Sequence, residues 1–142
     1  MVKNLTVFSS EKKYKINKFS IHKLMSELKI QLNFNVLSLT INFISSEKII
    51  SINKEYLNHN YSTDIITFNY SGDNENLDGE IFISCQDAQI NAKTFNNSLK
   101  EEFKRLVIHG ILHLLGYDDV KGKDRKVMKR LENDLVNRYK LY

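Results

Sequence analysis

Two histidines four residues apart, His109 and His113, sit in "HGILHLLGYDD", residues 109 to 119, a stretch otherwise almost wholly apolar until its end. A helix advances 3.6 residues per turn, so the two imidazoles project from one face, one turn apart. Nitrogens at that spacing can reach a single metal ion. Leu106, Val107, Ile108, Ile111, Leu112, Leu114 and Leu115 surround them, so the helix is apolar nearly all round and must be largely buried. Buried imidazoles need partners.

Gly116 then breaks the helix and lets the chain turn back. Zinc enzymes of the metzincin pattern place histidines at offsets zero, four and ten, with glycine at seven. Here those offsets carry His109, His113, Gly116 and Asp119. Three protein ligands would leave a fourth position for water, the arrangement of a catalytic zinc site. Asp118 is the rival third ligand, and a "DD" pair is also ordinary loop chemistry. The glutamate that follows the first histidine in H-E-x-x-H peptidases is Gly110 here, which argues against peptide hydrolysis.

The elements that must position this helix can be read from periodicity. "VKNLTVFSS" reads as an edge strand, and 20–32 as a helix capped by Ser20 with Ile21, Leu24, Met25, Leu28 and Leu32 on its inner face. "VLSLTINFI" alternates as a strand, with Leu37, Leu39, Ile41 and Phe43 on one side. A short helix opened by Ser45 or Ser46 follows. Then come two β-rich runs, "IITFNY" and "GEIFIS", joined by about nine turn-like residues. Helices follow over 84–95, boxed by Ser84 and Asp87, and over 98–115, boxed by Ser98 and Glu101. The last segment, from Asp124 to the chain end, carries a stripe of Val127, Leu131, Leu135 and Tyr139 on an otherwise charged helix. The order β-α-β-α-β-β-α-α-α predicts one α/β (α+β) domain over 1–142. It has a mixed four-stranded sheet packed against about five helices, with its last two strands antiparallel and the rest parallel.

The chain has 142 residues, 42% hydrophobic and 27% charged, enough for one core. The net charge of +4 would help a polyanion approach without requiring one. One cysteine, Cys85, excludes an intrachain disulfide, and no apolar run approaches the roughly 20 residues that span a bilayer. The N-terminus does not read as a signal peptide. The expectation is a soluble cytoplasmic protein without membrane contact.

"HGILHLLGYDD" resembles the signature of the YbeY family of bacterial endoribonucleases, whose usual form is H-G-x-L-H-L-x-G-Y-D-H. "INKEYLNHNYSTDIITF", residues 52–68, resembles the family's L-N-x-x-Y-R followed by T-[DN]-V-L-S-F, and "GEIFIS" its G-D-I-x-I strand. The resemblance implies a single domain with one zinc ion. It implies single-strand-specific cleavage of RNA, maturation of the 3′ end of 16S ribosomal RNA, and ribosome quality control at the small subunit. It assigns His109 and His113 to the first two ligand positions and puts Asp119 where the family has a third histidine. A carboxylate ligates zinc at similar distances but leaves the ion a weaker electrophile. Leu57 stands where the family usually has an arginine, and a leucine cannot grip a phosphate.

His59 is the nearest replacement for that arginine, and Asp64 and Asp118 are the candidates for acid–base help. Tyr117 could orient water or stack on a base, or simply pack under the helix end. His22, away from every matching block, reads as a surface residue. Lys121, Lys123, Arg125, Lys126, Lys129 and Arg130 follow the metal motif directly, and an RNA backbone could run across them. Two other readings remain: a metallopeptidase-like hydrolase, and a ribosome-assembly factor whose metal is structural and which cuts nothing itself.

Overall fold

In the computed structural model, which describes residues 1–141, strands β1 (Leu5–Ser9), β2 (Asn35–Ile44), β3 (Ile65–Asn69) and β4 (Asn76–Ser84) form one sheet in the order β1-β2-β4-β3. β1 and β2 run parallel, as do β2 and β4, and β3 is antiparallel to β4. Helices α1 (Lys18–Leu32), α2 (Ser46–Leu57), α3 (Cys85–Thr94), α4 (Leu99–Leu114) and α5 (Gly122–Arg138) complete the chain, with a short 3-10 turn at Lys12–Tyr14. The mixed sheet, its antiparallel β3–β4 pair and the five helices are those expected from periodicity, but the α2 connection does not join parallel neighbours: β4 lies between β2 and β3, and β3 runs against the other three strands. Tyr142, the end of the segment read as the last helix, lies outside the described residues.

Several local expectations are corrected. The α1 cap is Asn17, whose side chain accepts from the Ser20 N–H, so Ser20 lies inside the helix. His22 is 6% exposed, and its Nδ1 accepts a hydrogen bond from the Val2 N–H. It is an internal tether for the N-terminus. In β2 the alternation slips: a bulge between Val36 and Ser38 turns Leu37 outward at 59% exposure and leaves Val36 to join Leu39, Ile41 and Phe43 in the core. The β3–β4 connection is shorter than expected, because β4 already begins at Asn76.

On α5 the buried positions are Met128, Glu132, Leu135 and Val136, while Val127 is 49% exposed. The inner stripe is therefore rotated by one residue from the one expected, and a carboxylate falls within it. Tyr139 lies just beyond the helix as its C-cap.

The main core joins one face of the sheet to α1, α3, α4 and α5, while α2 closes a smaller cluster of Ile44, Ile49, Ile52 and Ile66. Helix α4 lies against the sheet between α3 and α5. Two glycines permit that approach. A Cβ at Gly79 would sit 3.3 Å from Leu114 Cδ2 of α4, and one at Gly110 would sit 2.9 Å from Ile81 Cδ1 of the sheet. The expected caps hold: the Ser45, Ser84 and Ser98 side chains accept from the N–H groups of Lys48, Asp87 and Glu101. Each such cap is worth about 1 kcal/mol.

Candidate metal centre and its cleft

The end of α4 is a double turn-back. The Tyr117 N–H bonds to the Leu112 carbonyl and the Gly116 N–H to the His113 carbonyl, both at 3.0 Å. This six-to-one and five-to-two pair requires a left-handed residue at position 116, and Gly116 has φ +98. The chain is thereby reversed, and Asp119 returns to the face of α4 that carries the histidines.

His109 Nε2 and His113 Nε2 lie 3.1 Å apart, and Asp119 Oδ2 lies 3.6 Å from the first and 3.3 Å from the second. Among the described residues this is the group whose ligand atoms all fall within 4.8 Å of one another. Bonds of roughly 2.0–2.2 Å around a tetrahedral ion give ligand–ligand edges of about 3.3–3.6 Å. The observed separations fit such an ion without rearrangement. The donor set, two imidazoles and one carboxylate, suits zinc and leaves one position open. Asp118 does not join the group. It is exposed, and its Oδ1 accepts from the Val120 N–H at 2.8 Å, an ordinary turn contact.

Behind His109 lies a residue that periodicity did not single out. The Glu132 carboxylate of α5 meets His109 Nδ1 at 2.5 Å. Arg105 donates to the other carboxylate oxygen at 2.8 Å and to Asn133 Oδ1 at 2.9 Å, and Lys129 Nζ stands 3.4 Å away. With its hydrogen on Nδ1, His109 presents the Nε2 lone pair toward Asp119 and His113. Burial opposes the charged form of His109, but the hydrogen bond and charge of Glu132 outweigh it and raise its pKa. Burial likewise opposes ionisation of Glu132, yet His109 and Arg105 hold its pKa down to about 2. His113 is lowered, by burial first and by the charge of His109 second. The available signal was a glutamate four residues after Met128 and three before Leu135, inside an otherwise apolar stripe.

The group opens onto a cleft of about 660 Å³. Arg125 and Lys129 of α5 line it beside His109 and Asp119, while Phe95, Asn97, Asn91 and Asp64 line the side toward α3. Of the six basic residues read as an RNA track, Lys121, Lys123, Lys126 and Arg130 are exposed outside this lining. Of the three acid–base candidates, only Asp64 lines the cleft. It accepts from Asn91 Nδ2 at 3.0 Å. His59 is exposed and stacks on Tyr61, and neither His59 nor Leu57 lines the cleft. Tyr117 packs against the main core beneath the helix end.

The position that carries the peptidase glutamate cannot serve here. Residue 110 faces Ile81 and Ile65 of the sheet, and a Cβ there would already meet Ile81 Cδ1 at 2.9 Å, so the position is built for glycine and carries no carboxylate. What the arrangement can do is hold a divalent cation beside a cation-flanked cleft and present it to an anionic substrate.

The sequence model of the endoribonuclease YbeY family matches residues 4–140. The endoribonuclease YbeY of Parabacteroides distasonis is 46% identical over 91 residues, which cover 64% of this chain and 63% of that protein. That of Chlorobium limicola is 42% identical over 106 residues, covering 75% of this chain and 73% of the relative. The aligned region thus spans a little under two thirds of the first of these relatives. The solution structure of TM1509 from Thermotoga maritima is similar over 94% of this chain and 87% of its own, with a TM-score of 0.67 and 26% identity.

Proposed function

Because the chain belongs to the endoribonuclease YbeY family, we propose that it is a zinc-dependent endoribonuclease that cuts single-stranded RNA and acts in the cytoplasm on the 3′ end of 16S ribosomal RNA and in small-subunit quality control. The observation that carries this reading is the convergence of His109, His113 and Asp119 at tetrahedral spacing beside a cleft that His109 and Asp119 line together with Arg125 and Lys129.

His109 Nε2, His113 Nε2 and Asp119 Oδ2 would hold the ion. Once bound, zinc supplies Lewis-acid polarisation of a phosphoryl oxygen and brings the pKa of water from near 16 to about 7. Glu132 keeps the His109 proton on Nδ1, away from the ion. Arg125 and Lys129 attract the backbone phosphates to that wall of the cleft. Leu57 does not line the cleft, and the cations beside His109 and Asp119 come from α5. The packed position of Gly110 speaks against a peptidase.

The test uses the zinc-loaded protein with an end-labelled RNA offered as a single strand and as a duplex. Cleavage of the single strand, lost on chelation and restored by zinc, is the expected result. A folded protein holding stoichiometric zinc that leaves the single strand intact would overturn the reading in favour of a non-cutting assembly factor.

A further inference from the structure

The cleft is larger than one phosphate needs, and its two ends differ in chemistry. One end carries His109 and Asp119 with the cations Arg125 and Lys129. The other, toward α3, is lined by Asp64, Asn91, Phe95, Asn97 and Glu102. Arg105, which lies between them on α4, is committed to Glu132 and Asn133. A phosphate would be repelled at the α3 end. An uncharged, planar group rich in N–H donors would not.

Phe95 leaves 69% of its surface exposed while lining this end, and so offers a ring face to a flat ligand. Glu102 sits two helical turns before His109 on the same side of α4, about 10 Å along the axis. That is the reach from a phosphate to the far edge of a nearby base. The Asn91 side chain is already spent as a donor: Nδ2 gives one hydrogen bond to Asp64 Oδ2 at 3.0 Å and another to Glu102 Oε2 at 3.3 Å. Glu102 itself is 4% exposed, so the carboxylate more open to a ligand is that of Asp64.

The polar wall therefore presents acceptors: carboxylate oxygens and the Asn91 amide oxygen. Acceptors read N–H groups. Guanine offers N1–H and the 2-amino group side by side, matched to the two oxygens of one carboxylate. Adenine and cytosine offer one amine each. Uracil has a single N–H between two carbonyls that the wall repels.

We propose that the α3 end of the cleft is a nucleobase subsite that stacks a base on Phe95 and reads the donor edge of guanine with Asp64, held in place by Asn91. The proposal deepens the nuclease reading and rests on it, and it moves Asp64 from acid–base chemistry to recognition.

The experiment measures binding of GMP, IMP and UMP to the zinc-loaded protein by chemical-shift titration, and maps cut positions on a mixed-sequence single strand. GMP should bind at least about fivefold more tightly than UMP, with IMP, which lacks the 2-amino group, in between. Cuts should gather beside guanosine by a similar factor. In Asp64→Asn the GMP-to-UMP ratio should fall to near one, and in Phe95→Ala both nucleotides should weaken together. Thermal melting of both variants separates these effects from misfolding. Equal affinities in the parent, no binding of either nucleotide, or a preference that survives Asp64→Asn overturns the subsite. A GMP preference without RNA cleavage keeps the subsite and overturns the nuclease reading instead.

Discussion

The Glu132 carboxylate on α5 and the His109 imidazole on α4 are 2.5 Å apart, with Glu132 almost fully buried and held from behind by Arg105. Such a carboxylate fixes the imidazole tautomer and raises its basicity. Glu132→Gln should weaken zinc binding about 10- to 100-fold, read by competition with a chromophoric chelator. The variant should stay folded, because glutamine can still accept from Arg105. An unchanged affinity would show that Glu132 serves only to join the helices.

The same pair sets a pH dependence with a definite sign. The folded pKa of His109 is raised above its ordinary 6.5. In metal-free protein this contribution to stability is fully present below 6.5 and is lost as pH rises through the folded value. Metal binding runs the other way, because the ion needs the neutral ring. Thermal melts should therefore show the stabilising effect of zinc growing with pH through this range. In Glu132→Gln the onset should move to lower pH. A stabilising effect of zinc that does not vary with pH would exclude His109 as a ligand.

Asp119 is the test of the three-residue group. Purified parent should carry about one zinc per chain, and Asp119→Ala clearly less, by elemental analysis. Asp119→His should keep the metal, since imidazole ligates at a similar distance. Full retention of zinc in Asp119→Ala would move the third ligand elsewhere.

Gly110→Ala weighs two opposed effects. Alanine in a helix gains about 1 kcal/mol over glycine. Its Cβ, however, would stand 2.9 Å from Ile81 Cδ1 and 3.1 Å from Ile65 Cδ1, and overpacking of that kind costs about 1–3 kcal/mol. Packing should win by up to about 2 kcal/mol in denaturant unfolding. A more stable variant would show that the two isoleucines give way freely.

Glu102 is a buried carboxyl on α4 whose pKa is raised, by desolvation first. Its protonated form favours the fold, so its contribution is present below 4.5 and is lost as pH rises through the folded value. Glu102→Gln should keep that contribution, melting above the parent at about pH 8 and level with it below about pH 4. A variant that melts lower at high pH would mean that the charged carboxylate is supported by its neighbours.

Most of the fold was legible because each element announces itself by period: 3.6 in α4, 2.0 in β3 and β4, with serines at the caps. The convergence of side chains 109, 113 and 119 follows from the helix period and the turn at Gly116, both written in a single stretch. What escaped had other causes. The bulge at Val36 and Ser38 breaks a two-residue alternation without a glycine to mark it. The α5 stripe reads equally well from Val127 or from Met128, and only packing against α4 chooses. Glu132 and Asn91 act through residues 23 and 27 positions away, and no local pattern carries such distances. His22 was misread because a lone histidine on a helix gives no sign that the N-terminus folds back to it.

The chain from His109 to Glu132 leaves α4, reverses at Gly116, passes Asp119 and returns along α5 to the imidazole where it began. It is a loop of covalent chain closed by one non-covalent link, and the ion site lies beside that seam. Taking the ion away should loosen the whole loop. Amide exchange should then quicken along the first turns of α5 as well as at the cleft, while β1 and α1, outside the loop, keep their rates. A cell short of zinc would hold a protein with an intact sheet and a last helix held to α4 by its packing and the Glu132 links alone.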